Sequence, residues 1–307
     1  MKHVYEDIKE LIGHTPIVRI KRFALPEGVQ IYAKLEAFNP GGSVKDRLGV
    51  ALIKAGEKSG ELEPGGTIIE PTAGNTGIGL ALAAVGTGYR VMFVVPEKFS
   101  QEKQQLMRAL GAEVINTPNS EGIKGAIARA KELEGEIENA YCPQQFQNLA
   151  NPEIHYQSTG PEIWEQMDGQ VNVFVAGAGS GGTFMGCARY LKERDPSIKT
   201  VIVEPEGSIL KGEPGPHRIE GIGMELIPDY MDPAYFNEIH VVTDEEAFRR
   251  VRQLSRLEGL LVASSSGAAF SAALREAEKA SPGTNIVVIF PDSSERYLSQ
   301  QIYSEED

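Results

Sequence analysis

The chain has 307 residues and a formal net charge of −13, with 30 Lys/Arg against 43 Asp/Glu. That length suggests about two domains and a core large enough to need no staples. The acidic balance, with no Lys/Arg cluster to offset it, argues against nucleic acid, and no apolar run approaches the ~18 residues of a membrane span.

In chain order, residues 6–12 read as a short helix, and 15–20 and 29–35 as strands. Val44, Leu48, Ala51, Leu52 and Ala55 then recur at helical spacing. Strand 67–70, helix 75–84, strand 90–95, helix 100–110, strand 113–116 and helix 121–133 follow. After a Gln/Asn/Pro-rich break near 145–160 come strand 171–176, a helix through Leu191, and strand 200–203. The chain closes with strand 238–242, helix 244–258, helix 265–280 and strand 285–290. Such alternation, with short and nearly continuous apolar strands, predicts an α/β protein with mostly parallel twisted sheets flanked by helices. The break supports two domains, 1–147 and 148–307. Residues 303–307 read as a disordered acidic tail.

The N-terminus lacks the apolar region of a signal peptide. Cys142 and Cys187 are isolated and read as reduced thiols, so a cytoplasmic protein is expected. His3, His14, His155, His217 and His240 form no metal-ligand spacing and read as surface or satisfied structural histidines; no metal is expected.

Chemistry-bearing residues collect at a few turns. In Asn39-Pro40-Gly41-Gly42-Ser43-Val44-Lys45-Asp46-Arg47, proline and two glycines mark a tight turn and Ser43 is a good helix N-cap. Lys45 then sits in the first helical turn. The positive end of the helix dipole disfavours a second cation there and favours the neutral amine that Schiff-base chemistry needs. A surface lysine at a helix start is the plain alternative.

Glu70-Pro71-Thr72-Ala73-Gly74-Asn75-Thr76-Gly77 leaves a strand and opens a helix. That is where α/β sheets bind ligands, and backbone N–H groups at a helix N-terminus suit an anion. An ordinary strand-to-helix turn uses the same residue types. Gln144-Gln145-Phe146-Gln147-Asn148 reads equally as a polar loop. Cys142, with no base nearby in sequence, reads as a small buried side chain, not a nucleophile.

Gly177-Ala178-Gly179-Ser180-Gly181-Gly182-Thr183 also follows a strand and precedes a helix, and suits a phosphate. Gly177, Gly179 and Gly182 also satisfy G-x-G-x-x-G, and Glu204 lies 22 residues after Gly182. An NAD-dependent oxidoreductase is therefore a rival reading. Against it, the fingerprint lies mid-chain after an apparently complete α/β unit and leaves Lys45 and the Asn75 loop without a role. Ser264-Ser265-Ser266-Gly267-Ala268-Ala269 opens a helix, where at least one serine is expected to cap. Asp292 and Ser293, in Pro291-Asp292-Ser293-Ser294-Glu295-Arg296-Tyr297-Leu298, read equally as a cap.

Taken together, these motifs resemble the pyridoxal-phosphate (PLP) β-replacement enzymes, the cysteine synthase and cystathionine β-synthase family, across nearly the whole chain. The resemblance implies fold type II, the tryptophan synthase β-like arrangement. There PLP lies in the cleft between two α/β domains, and the first ~40 residues cross onto the C-terminal domain. It implies that Lys45 carries the cofactor as a Schiff base and acts as the base. Asn75 would meet the PLP ring hydroxyl oxygen, and Gly179, Ser180, Gly181, Gly182 and Thr183 would cup the phosphate. Ser265, with Ser266 one position off, would give its hydroxyl to the ring nitrogen. A hydroxyl there does not hold that nitrogen protonated, which limits side reactions and suits β-elimination. Thr72, Ala73, Gly74, Asn75, Thr76, Gln145 and Gly221 would contact substrate. Ala73 stands where serine is commonest, so a side-chain hydroxyl is lost there.

Glu204-Pro205-Glu206-Gly207-Ser208-Ile209-Leu210 and residues 220–228 look more like cystathionine β-synthase; Gln144-Gln145-Phe146 and residues 291–298 look more like cysteine synthase. The mixture is similar to the bacterial O-acetylserine-dependent branch of the family. It implies β-replacement on O-acetylserine through an aminoacrylate, with homocysteine as acceptor giving cystathionine and acetate. Sulfide giving cysteine is the alternative. A homodimer acting on small amino acids is implied. The glycines of residues 206–227 suggest a mobile flap that would recognise the acceptor.

Overall fold

The structure, a computed structural model, describes residues 4–72 and 74–304. The expectations placed on His3, on Ala73 and on the tail beyond residue 304 lie outside them. The first elements are β1 (Ile17–Ile20), β2 (Gln30–Leu35), α1 (Lys45–Ser59), β3 (Thr67–Glu70), α2 (Asn75–Ala84), β4 (Arg90–Pro96) and α3 (Gln101–Ala109). Then come β5 (Glu113–Thr117), α4 (Gly122–Glu136), β6 (Ala140–Tyr141), α5 (Ala150–Ile154), α6 (Gly160–Gln166), β7 (Val173–Gly177) and α7 (Gly182–Arg194). The last are β8 (Lys199–Pro205), β9 (Glu238–Val242), α8 (Asp244–Gln253), α9 (Ser264–Lys279) and β10 (Asn285–Phe290). The chain divides into two units, Met1–Ile12 with Asn39–Asn151, and Gly13–Phe38 with Pro152–Asp307.

In the first unit the described strands form a parallel sheet in the order β5-β4-β3-β6. Strand side chains alternate between faces. Ile68 joins Leu48 and Leu52 of α1 and Ile78 and Leu80 of α2; its neighbour Ile69 joins Ala126, Ala130 and Leu133 of α4. Burial on both faces explains why β3 reads as a continuous apolar run. Helices α1 and α2 meet backbone to backbone. A Cβ added to Gly79 would lie 2.3 Å from the carbonyl oxygen of Lys45, and one on Gly49 would lie 2.2 Å from that of Gly79.

In the second unit the order is β1-β2-β10-β7-β8-β9, parallel except for the antiparallel β1–β2 pair. Ile286, Val288 and Phe290 of β10 pack with Ala268–Ala277 side chains of α9, while Val287 and Ile289 pack with Phe184, Ala188 and Leu191 of α7. Residues 13–38 are fixed to this unit by a buried cation. Lys34 Nζ in β2 donates to Glu162 Oε2 (2.7 Å) and Gln166 Oε1 (2.8 Å) on α6, and to the Thr15 carbonyl (2.8 Å).

The Gln/Asn/Pro-rich stretch near 145–160 is largely helical. Helix α5, a π-helical turn (His155–Thr159) and α6 run through it. Pro152 falls in the first turn of α5, where its missing N–H costs no intrahelical bond, and Pro161 comes just after the π-helical turn. The two-residue β6 is too short to show a period.

One cluster in this unit makes a pH prediction. Burial alone would raise the Glu276 carboxyl, but His240 Nε2 (2.7 Å) and Lys199 Nζ (2.6 Å) bond it and outweigh that, holding it at about 2 against an ordinary 4.5. A carboxyl depressed in the folded state stabilises above its unfolded value and loses that contribution as pH falls through its folded value. The melting-temperature gap between wild type and Glu276→Gln should therefore narrow as pH drops from about 6 to about 3. A gap independent of pH would remove Glu276 as a contributor to acid sensitivity.

Candidate active site

In the first unit, the turn before α1 is built as the sequence predicts. Ser43 Oγ accepts the Lys45 N–H (3.2 Å), and the Asp46 carboxylate accepts the Gly41 N–H (2.5 Å). The helix is assigned from Lys45, with Val44 already helical, so Ser43 caps it within one residue of the expected start. Lys45 is half-buried beside the fully buried Asp46 and Arg47. Gly79 of α2 packs against the Lys45 carbonyl, so the helix carrying the lysine is fixed to the helix that Asn75 opens.

The loop from β3 to α2 ends at Gly74, and no side chain caps α2. A Cβ on Gly74 would meet nothing within 4 Å. The space beside Gly74 is therefore open, while its N–H is donated to Thr72 Oγ1 (3.4 Å). Thr76 Oγ1 donates to Gln145 Oε1 (2.9 Å), and Asn151 Nδ2 donates to the Gln145 carbonyl (2.9 Å). The two loops named from sequence are thus brought together through Thr76 and Gln145. Thr72 is buried and Asn75 half-buried beside them.

Sequence reasoning missed the group that ties these loops. Glu70, the last residue of β3, is buried, and its two carboxylate oxygens accept the N–H groups of Gln144 (3.0 Å) and Gln145 (3.3 Å). Gln144 adopts φ 55°, the left-handed region, which aims successive N–H groups at one anion. Burial raises the Glu70 carboxyl to about 7, opposed by these two bonds. The available signal was a lone glutamate ending a strand otherwise buried on both faces. Cys142 is half-buried, and burial with the nearby Glu70 and Glu134 pushes its thiol up to about 12, so it is a poor nucleophile at neutral pH.

In the second unit, Gly177 ends β7 and the loop 178–181 feeds α7, whose N-terminus no side chain caps. Gly181 adopts φ 80°. A Cβ on Gly179 would lie 2.4 Å from the Gly221 carbonyl oxygen, so Gly221 belongs with this loop. Ser265 is buried in the first turn of α9, with Oγ 4.0 Å from a Cβ placed on Gly221. Gly179–Thr183, Gly221 and Ser265 therefore form one group, and Lys45, Thr72, Gly74, Asn75, Thr76 and Gln145 another, one in each unit.

His155 also belongs to the second group. It is fully buried, with Nε2 3.2 Å from Thr183 Oγ1 and Nδ1 2.9 Å from Thr159 Oγ1. It is a satisfied histidine, as read from sequence, but it sits on the last residue of the loop. The serines at the start of α9 do not cap it: the helix begins at Ser264 after an uncapped Ala263. Ser264 Oγ instead accepts the Glu220 N–H (3.3 Å). Glu204 is fully buried and its Oε2 accepts the Leu210 N–H (3.1 Å), so it anchors a turn and is not offered to a ribose. The stretch expected as a mobile flap is anchored at some points and exposed over residues 211–216. Ser208 Oγ accepts the Met224 N–H (2.9 Å), and Ile219, Ile222 and Met224 are buried. Gly207 serves a close backbone approach there, since a Cβ on it would lie 2.5 Å from the Gly215 carbonyl oxygen. Past β10, Tyr297 donates to the buried Asp292, and Ser294 N–H bonds the Leu261 carbonyl (3.2 Å) just before α9.

Two parallel α/β units, each opening a helix start onto a strand end, define a protein built to bind anionic small molecules. A glycine cradle at an uncapped helix N-terminus fits a phosphate, and a lysine in a helical first turn fits an aldehyde. The sequence matches the pyridoxal-phosphate dependent enzyme family over residues 8–292. The chain belongs to that family, and its cofactor is pyridoxal phosphate. It is 62% identical over 301 residues to the O-acetylserine dependent cystathionine beta-synthase of Bacillus subtilis, covering 98% of each chain. It is 55% identical over 299 residues to a cysteine synthase of Helicobacter pylori, covering 96% of this chain and 98% of that one. The crystal structure of the Helicobacter pylori O-acetylserine dependent cystathionine beta-synthase superposes with a TM-score of 0.94 at 53% identity, over 98% of this chain and 100% of that one. Among the described residues, no helix is long and apolar enough to cross a membrane.

Proposed function

We propose that the protein replaces the acetoxy group of O-acetylserine with the thiol of homocysteine, giving cystathionine and acetate. The whole-length match to the Bacillus subtilis protein carries this reading. When bound, pyridoxal phosphate supplies an aldehyde that takes up an amino group and a ring that draws electrons from the adjacent carbon. Residues of this chain do the rest. Lys45 Nζ would hold the cofactor and, as a free amine, would remove the substrate α-proton. The N–H groups of residues 72–76 and the Gln145 amide bind the substrate carboxylate, and Asn75 meets the cofactor ring oxygen. Gly179–Thr183 hold the phosphate, and the Ser265 hydroxyl meets the ring nitrogen. Gly221 lines the substrate side. Ala73 is assigned a backbone role only. With Thr76 bonded to Gln145 Oε1, the orientation of that amide is fixed before substrate arrives, which lowers the ordering cost of binding.

Homocysteine needs partners for its own amino and carboxylate groups, whereas sulfide needs none. Residues 206–227, matched to cystathionine-forming enzymes by sequence, are our choice for those partners. The match to a cysteine synthase favours sulfide as a second acceptor. We also propose a homodimer in the cytoplasm, the latter in keeping with free Cys142 and Cys187.

Offering O-acetylserine with both thiols and weighing the two products by mass tests the acceptor. The product ratio divided by the acceptor ratio gives the ratio of kcat/KM values. Cystathionine is expected to dominate at equal acceptor concentrations. A strong excess of cysteine would reassign the acceptor to sulfide.

A further inference from the structure

Beyond its strand pairing with β8 and the His155 contact to Thr183, the loop at residues 177–183 is packed against a later stretch, 221–231. The Gly223 N–H donates to the Ala178 carbonyl (2.9 Å). Ile222 closes over Gly177, and the Gly221 carbonyl closes over Gly179. The Met231 sulfur and Met224 methyl would lie 2.2 and 2.9 Å from a Cβ on Gly181, and both methionines are buried. Tyr230 Oη donates to the Ser180 carbonyl at 2.7 Å. In a planar trans peptide, a carbonyl and the following N–H point in opposite directions. Turning the Ser180 carbonyl to Tyr230 therefore turns the Gly181 N–H the other way. That N–H lies immediately before the uncapped first turn of α7.

We propose that Tyr230 is a positioning residue for the phosphate loop, fixing the direction of the Gly181 N–H through the Ser180 carbonyl. The proposal rests on reading residues 179–183 as the phosphate site. It adds a role for residues 221–231 that is separate from acceptor recognition.

The test uses the full-length chain, stripped of cofactor and titrated with pyridoxal phosphate or with pyridoxal, which lacks the phosphate. Wild type should bind pyridoxal phosphate far more tightly. Removing one hydrogen bond in Tyr230→Phe should weaken pyridoxal phosphate binding about 3- to 10-fold and change pyridoxal binding less than about 2-fold. The melting temperature of the cofactor-free chain should fall by no more than a few degrees, because the ring still packs and only one hydrogen bond is lost. Equal loss for both ligands, or none for either, overturns the role of Tyr230. A wild type that does not distinguish the two ligands overturns the phosphate reading itself.

Discussion

Lys45→Ala should turn over O-acetylserine at least ~10³-fold more slowly than wild type, because a positioned acid–base group alone contributes about 10²–10⁴-fold and covalent attachment is lost as well. The side chain emerges from the first turn of α1, where Ser43 accepts its backbone N–H and Asp46 holds Gly41. Alanine keeps the helix, being its best former, so the fold should survive. Added small primary amines should restore part of the rate by replacing the missing Nζ. Cofactor should also wash out of the variant during dialysis. Steady-state turnover with and without amine checks this, and near-normal turnover without amine would exclude Lys45 as the base.

Gly79→Ala should have the second largest effect, and its sign is informative. In an open helix interior, replacing glycine by alanine stabilises by up to about 1 kcal/mol. Here the added Cβ would stand 2.3 Å from the Lys45 carbonyl oxygen and 2.7 Å from its carbon. Helices α1 and α2 must then part, and overpacking of this kind costs about 1–3 kcal/mol. Because the clash falls on Lys45 itself, kcat should drop by about 10-fold or more even where the variant remains folded, since misplacement by ~1 Å can cost ~10²-fold. Gly135→Ala in α4 is the control. Its Cβ would meet nothing within 4 Å, and it should be neutral or slightly stabilising. Thermal melting and kcat on both variants check the pair; equal behaviour would remove the close α1–α2 approach as a positioning device.

Much of the fold was legible because strand and helix periods were strong. Elements such as β3, α2, β9 and β10 fall where the periodicity puts them. What was hidden is non-local. No pattern in residues 30–35 announces that Lys34 is a buried cation, because its partners on α6 lie about 130 residues away. The helices α5 and α6 were masked by two prolines whose positions in a helix cannot be judged before its start is known. At the candidate site, glycine loops stand out in sequence because close backbone approach demands glycine. The groups that hold those loops do not. Glu70 ends an ordinary strand, His155 lies in the Gln/Asn/Pro-rich break, and Tyr230 lies 50 residues beyond the carbonyl it bonds. The glycines of 206–227 stand out in sequence, but their contacts do not: Gly223 holds a positive φ with an added Cβ only 2.5 Å from His217 Nε2, and the Gly221 carbonyl lies against Gly179.

The most direct measurement traps the cofactor where it is attached. Reduction of the purified protein with borohydride makes the lysine–cofactor bond permanent, and peptide mass mapping then locates it. The pyridoxyl phosphate mass is expected on the peptide containing Lys45, with Lys34 and Lys54 unlabelled, and its yield should fall when O-acetylserine is added first. Label on another lysine, or none on Lys45 in protein that carries its full cofactor, would contradict the assignment of Lys45 and the mechanism built on it.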